Sequence, residues 1–192
     1  MEQIRSFIAI ELPDELKSEL VQLEARLKSV DQPFVKWVDP YSIHLTLKFL
    51  GNVAANRIGE ITKAMEEATQ GVSSFNLQVR DLGVFPNLRR VQVAWVGMSG
   101  EIDKLAHLQR RIESSLAPLG FTTESRKFVP HLTLARVHNQ ASLNERQRLG
   151  ELIASTSFKV VHNIKVDCVS LIKSQLTRQG AIYSRISSVG LN

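Results

Sequence analysis

Two tetrads of one composition, His44-Leu45-Thr46-Leu47 and His131-Leu132-Thr133-Leu134, stand 87 residues apart in this chain of 192 residues. Each reads as a strand, along which side chains alternate between faces. The leucines then point to a core, while His44 shares the opposite face with Thr46 and His131 with Thr133. Facing each other across a cleft, they would set two imidazoles and two hydroxyls around one point. An imidazole, with an unperturbed pKa near 6.5, gives or takes a proton near neutral pH. A pair suits in-line displacement at phosphorus: one takes the proton of an attacking water, the other protonates the departing oxygen. Threonine hydroxyls can hydrogen-bond the non-bridging oxygens. A strained 2',3'-cyclic phosphodiester needs little beyond such placement. The chain has no His-Glu-x-x-His, Cys-x-x-Cys or His-x-His spacing, so neither a metal nor another cofactor is expected.

The elements that must position these groups form a repeat. A strand at Ser6–Ile10 leads into a helix opened by Pro13, Asp14 and Glu15, with Leu16, Leu20, Leu23 and Leu27 on one face. An extended stretch, Val35–Val38, precedes the first tetrad, whose strand ends at Gly51. After a helix carrying Ile58, Ile61, Met65 and Ala68 and a strand at Phe75–Arg80, the order recurs. A strand at Val91–Val96, a helix at Glu101–Leu116 and a strand at Pro130–Arg136 follow. Ile10 precedes His44 by 34 residues and Val96 precedes His131 by 35. We therefore expect residues 1–192 to form a single α/β (α+β) domain of two similar lobes, built on a repeat of about 5–51 and 91–137. A short helix at Leu143–Ile153 and strands at Ile164–Ile172 and Ala181–Ile186, joined by a loop at Gln175–Gly180, complete the chain. These last strands could pair back onto the first lobe.

Composition sets wider bounds. Hydrophobic residues make up 43% and charged residues 22%, as in a globular domain able to bury a core. The net charge of +5 and an isoelectric point near 9.6 favour an acidic partner. One cysteine, Cys168, lies in an apolar strand and fits a reducing compartment. No secretory signal or membrane-length apolar run is visible, so a cytoplasmic location is expected. Lys48 shares the His44 face by alternation and is either a phosphate contact or a solvated lysine. Arg89, Arg90, Arg126 and Lys127 could extend a basic rim. His107, His138 and His162 read as ordinary residues.

The chain resembles the two-histidine phosphoesterase superfamily, and within it the bacterial and archaeal RNA 2',3'-cyclic phosphodiesterases, also called 2'-5' RNA ligases. The resemblance runs from Phe7-Ile8-Ala9-Ile10-Glu11-Leu12-Pro13 through Trp37-Val38, His44–Gly51, Leu82–Pro86 and Leu116–Phe121 to Pro130–Arg136. It implies a bilobal fold of two antiparallel-sheet lobes with outer helices, and both histidines in the central cleft. It also implies His44 as general acid and His131 as general base, with a 2'-phosphate product and, in some members, reversible 2'-5' ligation. The physics of the tetrads alone leaves the two roles interchangeable. The resemblance further implies a base held between Phe49 and Arg136, each five positions beyond its histidine. Strict alternation opposes this for Phe49, placing it behind the strand in the core. Expected partners are RNA with 2',3'-cyclic phosphate ends, such as tRNA fragments, or cyclic nucleotides; no membrane and a monomer are expected. A non-catalytic nucleotide- or RNA-binding module of the same fold is the alternative, as is a protein whose main activity is ligation.

Overall fold

The computed structural model describes residues 2–158, 162–178 and 180–192. Nine strands form two antiparallel sheets among these residues. Strands β1 (Gln3–Glu11), β3 (His44–Ala54), β8 (Cys168–Leu176) and β9 (Ala181–Gly190) form the first sheet, in the order β3-β1-β8-β9. The second holds β2 (Val35–Trp37), β4 (Phe75–Phe85), β5 (Val93–Gly100), β6 (His131–Val137) and β7 (His162–Val166), in the order β2-β6-β5-β4-β7. Helices α1 (Asp14–Leu27), α2 (Ile58–Thr69), α3 (Ile102–Leu116) and α4 (Leu143–Ser155) accompany them. The bilobal α/β fold expected from the tetrads is therefore the one observed.

The helices form where apolar residues repeat at helical spacing, and they bury those faces: Leu16, Leu20, Leu23 and Leu27 on α1, Ile61 and Met65 on α2, Leu105, Leu108, Ile112 and Leu116 on α3. Ser142 starts α4 through a capping box with Glu145, each satisfying a backbone N–H of the other's end of the turn. Burying these side chains with Ile8, Ile10, Leu45, Leu132 and Leu134 makes one main core.

The two halves are threaded through each other. β2 follows β1 and α1 in sequence, yet it pairs with β6 in the second sheet, with Trp37 opposite Ala135. α3 leaves β5 of the second sheet and packs against α2 and β3 of the first lobe. The apolar run expected as one strand, Ile164–Ile172, is two. β7 pairs with β4, and after Asp167 the chain changes sheets, so that β8 pairs with β1. The C-terminal hairpin thus completes the first lobe; β8 extends to Leu176, and Gln179 in its connecting loop lies outside the described residues.

Several strands outrun their sequence signals. β3 continues through Gly51 to Ala54, because Gly51, at φ 73°, accommodates an irregularity within the ladder instead of ending it. β4 runs to Phe85 and β5 to Gly100, since paired neighbours hold residues of weak strand propensity in line.

Candidate active site

β3 and β6 are the strands that approach each other between the sheets, and each carries one tetrad. Their burial patterns match position for position. His44 and Thr46 are half-buried while Leu45 and Leu47 are buried; His131 and Thr133 are half-buried while Leu132 and Leu134 are buried. Alternation thus holds through the first four residues, and the histidine and threonine of each tetrad share a face turned away from the core.

The fifth position breaks the alternation in both strands. In the pairing of β1 with β3, Ala9 faces Thr46 and Ile8 faces Lys48, leaving Leu47 as an extra residue. In the pairing of β5 with β6, Trp95 faces Thr133 and Ala94 faces Ala135, leaving Leu134 extra. These are matched β-bulges, which re-aim the residues that follow them. Lys48 and Ala135 turn inward, and Phe49 and Arg136 come out on the histidine face. Phe49 is 66% exposed, so the core position expected for it is wrong. Lys48 is not on the His44 face either. It is buried, ion-paired to Glu113 at 2.6 Å, and donates to the carbonyl of Thr122.

Both imidazoles are held in the same way. Nδ1–H of His44 donates to the carbonyl of Ser42 at 2.9 Å, and that of His131 to the carbonyl of Val129 at 2.8 Å. This arrangement leaves Nε2 of each ring as the nitrogen available to substrate: a base when the ring is neutral, an acid when it is charged. Aromatic rings fix the planes. Phe7 stacks on His44 at 4.4 Å and Tyr183 meets it edge-on at 5.1 Å, while Phe85 meets His131 edge-on at 5.0 Å. Burial pushes the pKa of both histidines below the ordinary value, against the opposing pull of their carbonyl partners.

The surroundings differ in charge. Glu11 lies across from His44 in the ladder, and the equivalent neighbour of His131 is Gly97. Burial pushes the Glu11 carboxyl up, but hydrogen bonds from Arg185 and Ser170, each 2.7 Å, outweigh it and hold it ionised. Its field favours a protonated His44, whereas the Arg136 guanidinium disfavours a protonated His131. Neither Glu11 nor the aromatic supports stood out in the sequence. Only strand register brings Glu11 beside His44, and a lone carboxylate 33 residues before the tetrad carried no signal of its own.

The sequence model of the LigT-like phosphoesterases matches the chain twice, over residues 10–95 and 96–183. The chain belongs to the LigT-like phosphoesterase family. The RNA 2',3'-cyclic phosphodiesterase of Methanothermobacter thermautotrophicus is 35% identical over 95% of this chain and 96% of its own length. That of Aquifex aeolicus is 30% identical over 96% and 95%. Among solved structures, E. coli LigT complexed with 3'-AMP superposes with a TM-score of 0.78 at 25% identity, covering 100% of this chain and 99% of LigT.

The remaining residues singled out from sequence do not join the tetrads. His107 and His138 are exposed, on α3 and just beyond β6, and His162 opens β7. Arg126 and Lys127 are exposed in the stretch before β6. The Cys168 thiol is half-buried, and burial pushes its pKa up, which disfavours a thiolate nucleophile. No helix among the described residues is long and apolar enough to cross a membrane. No group of three or more His, Cys, Asp or Glu side chains converges among them.

Proposed function

We propose that this LigT-like phosphoesterase hydrolyses 2',3'-cyclic phosphate ends of RNA to 2'-phosphates by metal-independent acid–base catalysis. His131 Nε2 takes a proton from water as the water oxygen bonds to phosphorus. His44 Nε2–H gives its proton to O3' as the P–O3' bond breaks. Thr46 and Thr133 hydrogen-bond the non-bridging oxygens, and the terminal base lies between Phe49 and Arg136. A 5'-hydroxyl in place of water gives a 2'-5' link by the same steps, so the ligation is reversible.

The observation that carries this reading is the pair of tetrads made unequal by charge. The imidazoles share one tethering scheme, yet a carboxylate faces His44 and a guanidinium lies near His131. That inequality supports His44 as the proton donor and His131 as the acceptor. The activity named for the relatives supports the substrate class. The bound 3'-AMP named for E. coli LigT supports nucleotide binding. We further read residues 1–192 as a single catalytic domain, with one tetrad from each repeat unit, about 5–51 and 91–137. It acts as a cytoplasmic monomer on RNA ends such as those of tRNA fragments, or on cyclic nucleotides.

The test is hydrolysis of an oligonucleotide ending in a 2',3'-cyclic phosphate, with EDTA present and the product isomer identified. A 2'-phosphate is expected, and loss of either imidazole, in His44→Ala or His131→Ala, lowers kcat by about 10²–10⁴-fold. Tight binding without turnover by the native protein would turn the reading into a binding module. A 3'-phosphate product would overturn the choice of leaving oxygen.

A further inference from the structure

A groove of about 720 Å³ is lined by Gly83, Val84, Asn87, Leu88, Arg89, Arg90 and Trp95. Trp95 is 6.4 Å from His131 between ring centroids, so the groove opens next to the imidazole. Its floor depends on a missing side chain. A Cβ on Gly83 would lie 2.2 Å from the Trp95 ring, so only glycine lets the indole lie across β4.

The rim is fastened with more than an exposed loop requires. Asn87 Oδ1 accepts from the backbone N–H groups of Arg89 and Arg90, both at 3.1 Å. From beneath, Arg146 on α4 donates to the carbonyl of Val91 at 2.8 Å. Gly150 on the same helix lets the loop approach so closely that a Cβ there would be 2.0 Å from the carbonyl oxygen of Leu88. This held loop displays Arg89 and Arg90, both exposed and without a carboxylate partner among the described residues.

We propose that this groove is a second nucleotide subsite, which binds the RNA chain on the 5' side of the reacting nucleotide. Arg89 and Arg90 contact its phosphates, and an apolar wall of Leu88 and Trp95 receives a base. The inference rests on the proposed function, and chemistry sets the direction: an RNA ending in a 2',3'-cyclic phosphate has further nucleotides only on its 5' side. The volume falls within the range of about 300–1,000 Å³ for small-molecule sites, enough for one nucleotide.

The experiment compares native protein with R89A/R90A on two substrates, adenosine 2',3'-cyclic monophosphate and a tetranucleotide with the same cyclic end. The double variant should raise KM for the tetranucleotide about tenfold and leave kcat/KM for the mononucleotide within about twofold. Removing two phosphate contacts should also flatten the salt dependence of log(kcat/KM) for the tetranucleotide by about 1.4, at ~0.7 per contact on a single strand. Equal losses on both substrates, or none on the tetranucleotide, overturn the subsite. If native protein hydrolyses neither substrate, the proposed function fails. Fluorescence anisotropy with the labelled 2'-phosphate tetranucleotide then decides the groove alone, where equal affinity for native and double variant overturns it.

Discussion

Exchange of Lys48 for methionine should destabilise the protein by about 3–5 kcal/mol, although it keeps the length of the side chain. The Lys48 and Glu113 side chains are only 7% and 11% exposed, and Nζ stands 2.6 Å from Oε2. At an effective dielectric near 20, charges at that separation attract by roughly 6 kcal/mol, most of it offset by their desolvation. Lys48→Met removes the attraction but leaves the Glu113 carboxylate buried, with only Gln109 Nε2 at 3.2 Å and the Glu124 N–H at 3.3 Å as donors. Replacing both, Lys48→Met with Glu113→Leu, removes both desolvation penalties. It should return stability to within about 2 kcal/mol of native, the remainder being hydrogen bonds lost at Gln109, Thr122 and the Glu124 N–H. Urea unfolding of native, both single variants and the double variant gives the full cycle. A loss under about 1 kcal/mol in Lys48→Met, or a double variant whose loss equals the sum of the singles, would refute a buried and mutually dependent pair.

Three further outcomes test the site. Phe49→Ala and Arg136→Ala should each raise KM for a cyclic mononucleotide; loss of base–aromatic stacking is worth about 1–3 kcal/mol, and an unchanged KM in Phe49→Ala would remove that ring from the base site. Glu11→Gln should move the alkaline limb of the kcat/KM profile to lower pH and leave the acid limb in place, because the carboxylate favours protonated His44; a fall in kcat without displacement of the limb would make Glu11 merely structural. The depressed histidines also link stability to pH. The unfolded chain binds more protons than the native one between the folded pKa values and about 6.5, so their contribution is complete above that value and is lost as pH falls through the folded pKa values. The midpoint in urea should therefore drop less between pH 7.5 and 5 in His44→Gln/His131→Gln than in native protein; an equal drop in both contradicts the linkage.

Local pattern and composition determined a good deal here. The paired His-x-Thr motifs, the helical faces of α1, α2 and α3, and the recurrence of strand, helix and strand follow from side-chain periods of 2 and 3.6, which each segment carries in itself. What those periods could not contain is register. One extra residue at Leu47 and another at Leu134 reverse the facing of the residues that follow, which brings Phe49 and Arg136 to the histidine face and buries Lys48 against Glu113. A bulge forms through pairing with a partner strand, and that partner is β1 for one tetrad and β5 for the other. The threading of the lobes has the same origin. Val166 and Cys168 flank a single residue in one apolar run, yet the sheets on either side of Asp167 differ because one edge is open beside β4 and another position beside β1. The chemical inequality of the two histidines was likewise decided in space: Glu11 is 33 residues from His44 along the chain, and only antiparallel pairing sets its charge beside that ring.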